Sequence, residues 1–223
     1  MKKIENGVSL QPLAGGRPRQ IILLLHGFGS NGSDMIALAP SLQQKLPHAL
    51  FLAPHAPDRC GGGGYQWWAL SSIAPRDLAA GALMAAPAVD AFIDRKLKQY
   101  DLTEADLALI GFSQGTMMAL QVGLRRPRPV ACIVGYAGLL TSTADLPHND
   151  CPRPPVLLVH GSADPVVPVA AMHAAESELR RLGVDVTTHV SHGIGHTVDP
   201  TGLRLGVEFV SAALGASSQP ERG

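Results

Sequence analysis

Apolar positions along this chain fall into two alternating rhythms. Short continuous runs rich in Val, Ile and Leu, at 8–10, 21–25, 49–53, 107–110, 130–134, 156–159 and 186–190, read as strands. Most lack the polar alternation of a half-solvated strand, which is the pattern of a sheet covered on both faces. Between them, apolar residues at helical spacing predict helices over 35–46, 77–98, 114–125, 169–182 and 201–214. Pro87, inside the second of these, is expected to kink or divide it. The first two runs, joined across Gly15-Gly16, read as a hairpin, and strand and helix alternate thereafter. That order implies an α/β fold, a mostly parallel central sheet with helices on both faces. The stretch 55–75, with GGGG at 61–64 and then YQWWAL, resists assignment. Long irregular connections of this kind usually carry function. Residues 1–214 are expected to form one domain, with GASSQPERG at 215–223 as a flexible polar tail.

Composition narrows the setting. A hydrophobic content of 46% in 223 residues suits one domain with a full core. The 18 basic and 18 acidic residues balance, which argues against nucleic acid or an anionic membrane surface as a general partner. No apolar run reaches the roughly 18 residues of a membrane span. The start, MKKIENGVSLQPLAGG, has no apolar core of a signal peptide, so no integral membrane association is expected. Cys60, Cys132 and Cys151 are odd in number and show no CxxC spacing, which fits a reducing, cytoplasmic setting. The expected assembly is a monomer or homodimer.

The candidate chemistry begins at LLLHGFGSNGSD, residues 23–34, which has two readings. Gly27-Phe28-Gly29-Ser30-Asn31-Gly32 satisfies the G-x-G-x-x-G of a dinucleotide-binding turn. The same His-Gly-x-Gly also suits a loop that donates a backbone N–H to an oxyanion hole. A second motif decides between them. Gly111-Phe112-Ser113-Gln114-Gly115 is G-x-S-x-G between a predicted strand and a predicted helix, the context of a nucleophile elbow. A serine hydroxyl needs a base to take its proton, and the base needs an acid to hold its tautomer. Asp164 follows the predicted strand 156–159, and His196 follows the last predicted strand, in the chain order this fold class uses. His189 falls inside a strand and Asp185 before one; Asp199 is too near His196 in sequence. His192 is the one rival base by position. The spacing H-x2-H-x3-H from His189 to His196 does not resemble a zinc helix, so no metal is expected. A dinucleotide turn also needs an acid at the end of the next strand, and FLAPHAP has none before Asp58. The loop is therefore read as half of an oxyanion hole, with the N–H groups of Phe28 and Gln114 as donors.

Together LLLHGFG, FLAPHAP, GFSQG, HGSADPVVP and GIGHT resemble the phospholipase/carboxylesterase family of α/β-hydrolases, which includes the acyl-protein thioesterases. The resemblance runs from about residue 8 to residue 214. It implies an α/β-hydrolase fold without a large cap, hydrolysis of carboxylic esters and thioesters, and no cofactor. Residue by residue it implies Ser113 as nucleophile, Asp164 as acid and His196 as base, with oxyanion donors on Phe28 and Gln114. The chain departs from the family's usual pattern at Phe28, often Leu, at Ser30, often Asp, and at Trp67-Trp68-Ala69, a loose version of Trp-Phe-Asp. The larger Phe28 ring is expected to narrow the acyl site.

Residues 61–75 are expected to lie over the site as a short lid. Tyr65, Trp67, Trp68 and Leu70 then line an acyl groove, or the indoles simply pack the loop onto the sheet. Val166, Val167 and Ile194 are the apolar neighbours expected beside the scissile bond. The small lid and lack of a long apolar insertion point to short and medium acyl esters. Two other classes fit less well. A non-catalytic ligand-binding protein of this fold would usually have lost one of the three catalytic residues. A dienelactone hydrolase typically has Cys at the elbow, and a peptidase a further domain.

Overall fold

The computed structural model describes residues 2–4, 7–144, 146 and 152–217. Its strands, in chain order, are β1 (Gly7–Leu10), β2 (Gln20–Leu25), β3 (Ala49–Pro54), β4 (Asp58–Arg59), β5 (Tyr65–Gln66), β6 (Leu107–Phe112), β7 (Cys132–Tyr136), β8 (Val156–Gly161) and β9 (Val186–Ser191). Seven of them form one sheet in the order β1-β3-β2-β6-β7-β8-β9, while β4 and β5 form a separate ribbon. All neighbours in the large sheet are parallel except β1, which is antiparallel to β3. The helices are α1 (Gly32–Ile36), α2 (Ala39–Gln43), α3 (Pro75–Tyr100), α4 (Gln114–Gly123), α5 (Ala170–Arg181) and α6 (Pro200–Ser217).

Strand β2 shows why the apolar runs are continuous. Ile21, Leu23 and Leu25 point to one face and pack with residues of α3, α4 and α5. Ile22 and Leu24 point to the other and pack with residues of α1, α2 and α6. Side chains alternate along a strand, so a sheet buried twice needs an apolar residue at every position. The α/β-hydrolase architecture implied by the sequence is present, and no large cap covers it among the described residues.

Several boundaries differ from the expectation, each for a local reason. The first two strands do not form a hairpin, because β3 inserts between them. The connection after β1 instead bonds to the start of β3, with Ala14 N–H on Pro47 O and Arg19 N–H on His48 O. The predicted helix 35–46 is two short helices, because Pro40 in the first turn of α2 cannot continue a helix from α1. Pro87 does not divide α3, which runs unbroken from Pro75 to Tyr100 with Pro87 on its exposed side. The strand expected at 130–134 starts later, at Cys132. Stretch 55–75 is less irregular than its composition suggests, since it holds the β4–β5 ribbon. Helix α6 continues to Ser217, beyond the point where the tail was expected to begin, while residues 218–223 and Cys151 lie outside the described residues. Burial pushes the Cys132 thiol up to about 12, so it is inert at neutral pH.

The strand order also places the site. Connections from β2 lead outward to β3, and later ones lead the other way from β6, so β2 and β6 flank the point where the order reverses. Ligands of open α/β sheets bind in the crevice at that switch, beyond the carboxyl ends of the strands. The loops after β2 and β6 are HGFG and GFSQG.

Candidate active site

The turn from β6 into α4 is tight enough to force Ser113 into φ 53°, ψ −116°, a conformation rare for a residue with a side chain. Glycines make the turn possible. A Cβ on Gly115 would run into the Leu25 carbonyl oxygen, and one on Gly111 into the Gly115 backbone. The Ser113 N–H bonds Tyr136 O at 2.9 Å, while its own carbonyl accepts from Thr116 at 2.9 Å and Met117 at 3.2 Å. Surrounding structure thus over-determines the strained residue, as such a conformation requires.

Asp164 lies in the loop after β8 and is buried. Its Oδ1 accepts from the N–H groups of Val166 at 2.8 Å and Val167 at 2.9 Å. Its Oδ2 meets His196 Nδ1 at 2.7 Å. The His196 ring lies 4.9 Å from the Phe112 ring, next to the elbow. Burial alone would push the Asp164 carboxyl up, but the His196 hydrogen bond and the two amides together hold it below the usual range. Its partner is therefore a carboxylate, which fixes the His196 tautomer with the proton on Nδ1 and leaves Nε2 able to accept one. His189 lies in β9, and His192 is exposed in the following loop. Asp199 serves elsewhere: it accepts from Ser191 Oγ at 2.6 Å and from the amides of Thr201 and Gly202, capping α6.

The HGFG loop approaches the elbow closely. A Cβ on Gly27 would stand 3.3 Å from Ser113 Cβ. Among the described residues, neither the N–H of Phe28 nor that of Gln114 donates to a protein acceptor. Both are free to bind an incoming oxygen. The loop is held from behind by His26, whose Nε2 accepts from Ala56 N–H at 2.9 Å and whose Nδ1 donates to Gly27 O at 2.7 Å. Burial pushes the His26 pKa down, in keeping with a neutral ring that uses one nitrogen as acceptor. In front, the ribbon grips it: Gly29 N–H bonds Tyr65 O at 2.9 Å, and Tyr65 N–H bonds Ser30 O at 2.8 Å. The Tyr65 ring stacks on His55 at 4.6 Å, and the Arg59 guanidinium lies 4.7 Å from its centroid.

The residues expected to line a groove separate into two groups. Trp67 and Trp68 are buried in the core, Trp67 donating its indole N–H to His26 O at 2.8 Å and Trp68 packing against Gly81 of α3. Leu70 is half-buried against the same core. Val166 is exposed, Val167 buried and Ile194 half-buried, all beside Asp164 or His196. An open cleft of about 390 Å³ lies instead between Ile73, Leu78, Leu139, Leu140, Ala171 and Ala175. Leu139 on the cleft wall follows Gly138, whose Cβ position lies 2.9 Å from Ser113 O.

Comparison with known proteins places this geometry in a family. The family model described as Phospholipase/Carboxylesterase matches residues 13–214. The chain belongs to that family. Esterase YpfH of Escherichia coli K12 is 27% identical over 193 residues, covering 86% of this chain and 82% of that protein. Acyl-protein thioesterase 1 of Mycosarcoma maydis is 26% identical over 231 residues, covering 93% and 96%. The solved structure of esterase PE8 aligns with a TM-score of 0.86 and 40% identity, covering 93% of this chain and 98% of that one. This member of the phospholipase/carboxylesterase family is thus a carboxylesterase-type hydrolase that acts on ester bonds. Among the described residues, no helix is long and apolar enough to cross a membrane.

Sequence reasoning missed three side chains at this site. His26 braces the HGFG loop, His160 sits against Asp164 at 3.2 Å, and the Gln114 side chain clamps the backbone of Trp67 and Trp68. Gln114 Oε1 accepts from Trp67 N–H at 3.0 Å and Nε2 donates to Trp68 O at 2.9 Å. A signal existed for the histidines. His-Gly stands at the end of two apolar runs, at 26–27 and 160–161, where a buried imidazole needs a partner. For Gln114 there was none, because its partners are 46 and 47 residues away.

Proposed function

We propose that the chain hydrolyses esters of short and medium acyl chains through an acyl-enzyme on Ser113. His196 takes the serine proton and later returns one to the leaving alcohol; Asp164 orients the imidazole and balances its transient charge. The N–H groups of Phe28 and Gln114 bind the developing oxyanion, where fixed donors stabilise the transition state more than the ground state. Water then attacks the acyl-enzyme by the same base. The observation that carries this reading is the 2.7 Å contact of His196 Nδ1 with Asp164 Oδ2 beside the strained turn at Ser113.

The cleft walled by Ile73, Leu78, Leu139 and Leu140 takes the acyl chain in place of a groove lined by Trp67 and Trp68. Its volume of about 390 Å³ is near the small end of the usual range of about 300–1,000 Å³ for ligand pockets, which favours short and medium chains. Phe28 and Val166 are exposed beside the oxyanion loop and Asp164. The test is hydrolysis of p-nitrophenyl esters from acetate to palmitate, wild type beside Ser113→Ala, followed by an acyl-thioester. Turnover lost in Ser113→Ala with an optimum at short or medium chains is the expected result. Faster turnover of palmitate at submicellar concentration would overturn the chain-length reading, and an active Ser113→Ala would overturn the nucleophile.

A further inference from the structure

The HGFG loop is clasped by a histidine at each end. His26 stands at its start and accepts from Ala56 N–H at 2.9 Å. His55, the first residue beyond β3, meets the far end, where the Gly32 N–H donates to His55 Nδ1 at 3.0 Å. An amide nitrogen only donates, so Nδ1 is the unprotonated nitrogen of that ring. The two contacts are reciprocal. The loop's histidine takes an amide from the segment after β3, and that segment's histidine takes an amide from the loop. Gly32 lies directly against β3, where a Cβ would run into the Ala53 carbonyl oxygen. We infer that His55 is a positioning residue, whose Nδ1 holds the end of the loop through Gly32 and so keeps the Phe28 N–H aimed at the oxyanion. The inference rests on the oxyanion reading proposed above.

The loop needs such a hold because glycines leave its shape open. Phe28 sits between Gly27 and Gly29, the latter at φ 78°, so little in the local backbone fixes the direction of its N–H. An oxyanion donor is effective only when it is fixed before the charge develops. Among the described residues, three hydrogen bonds join residues 29–32 to the segment after β3. Two belong to the Tyr65 backbone and the third to His55. The polar side chains of the loop turn elsewhere. Ser30 Oγ and Asn31 Nδ2 donate to Asp34, and Asn31 Oδ1 accepts from the amides of Ser33 and Asp34. They tie the loop to α1, and Gly32 ties that unit to β3. Tyr65 in turn orients the imidazole, stacked on it at 4.6 Å with 6° between the planes. The stack sets the plane in which Nδ1 faces Gly32.

The test separates the acceptor from the ring. His55→Asn keeps an acceptor near the place of Nδ1, His55→Phe keeps a flat face for Tyr65, and His55→Ala keeps neither. Activity toward p-nitrophenyl butyrate is measured beside inhibition by a short alkyl trifluoromethyl ketone. Ser113 Oγ adds to the ketone carbon, His196 takes the hydroxyl proton, and the carbonyl oxygen becomes an oxyanion facing both donors. In the Ala and Phe variants we expect kcat about ten- to a hundredfold lower, with KM within about threefold, since a misaligned donor costs less than a lost one. The ketone should bind more weakly by the factor that kcat/KM falls, because both report on the oxyanion. His55→Asn should stand within about threefold of wild type on both measures, its Oδ1 accepting from Gly32. Should His55→Ala fail to fold, His55→Phe carries the comparison. Rescue by Phe but not by Asn assigns His55 to stacking and overturns the proposal. So does unchanged kcat in the Ala and Phe variants, or a fall in kcat with ketone affinity intact. Ketone binding by Ser113→Ala as tight as by wild type would instead sink the site reading beneath it.

Discussion

Two loops meet over the switch point of the sheet, and they are held by opposite means. The elbow from Gly111 to Gly115 is fixed by backbone: glycines admit the close approach of Leu25, the Ser113 N–H bonds Tyr136 O, and the first turn of α4 bonds the Ser113 carbonyl. The HGFG loop has a backbone bond of its own, Ser30 N–H to Gly27 O at 3.2 Å, and leans otherwise on side chains and the ribbon. It is held by His26 through Ala56, by Trp67 through its indole N–H, and by Tyr65 through a two-residue ribbon. The first loop takes its shape from its own turn and from the strands beside it. The second is in place only once residues 55–68 have folded over it. Half of the proposed oxyanion hole is therefore local, and half is a tertiary product.

That contrast can be broken at the elbow first. Gly115→Ala puts a methyl group into the Leu25 carbonyl, with backbone on both sides and no flexible side chain to yield. We expect a loss of about 3 kcal/mol or more in urea unfolding, together with activity below detection. Wild-type stability would mean that the elbow is looser than its contacts require. Gly64→Ala tests the other loop in the same way, since its Cβ would strike Gly29 O. Gly64 is buried, but the turn before it, residues 61–63, is exposed and can shift. Stability should change by less than about 1 kcal/mol while kcat falls roughly 10²-fold or more, the usual cost of losing an oxyanion donor. A parallel fall in stability would erase the distinction between the loops.

Gln114→Ala sharpens the comparison, because this side chain belongs to the elbow yet holds the Trp67–Trp68 segment. It leaves the buried Trp67 N–H and Trp68 carbonyl without partners, so a loss of about 2–3 kcal/mol is expected by thermal or urea unfolding. The smallest effect concerns His26. Burial lowers its pKa in the folded chain below the ordinary 6.5, so the unfolded chain binds more protons just below that pH. Stability from the neutral ring is full above 6.5 and is lost as pH falls below it, with a slope of at most about 1.4 kcal/mol per pH unit. His26→Gln should flatten the stability profile below pH 6.5. An unchanged slope would place the titrating group elsewhere.

Much of this site was legible because its parts are short and carry their own geometry. G-x-S-x-G needs only five neighbours to make a strained turn, and the acid and histidine follow strands whose apolar runs are plain. The seven strands of the large sheet and their alternation with helices came from the same local signal, while the β4–β5 ribbon did not. What failed were the features that depend on the neighbour in space. Val8–Leu10 and Ile21–Leu25 looked like a hairpin since they are close in sequence, but β3 pairs with both. Trp67 and Trp68 looked like groove residues since they lie in a long loop, but Gln114 and Gly81 draw them into the core.

The sequence by itself therefore determined the family, the sheet buried on both faces, and which residues stand at strand ends ready for chemistry. Each of those follows from periodicity or from the torsional demands of a few adjacent residues. The tertiary structure alone decided that β3 separates β1 from β2, that His160 stands 3.2 Å from Asp164 Oδ2, and that the open cleft runs along Leu139 and Ala171. These depend on strand order and on hydrogen bonds between residues far apart in the chain, where no local pattern of side chains records the partner.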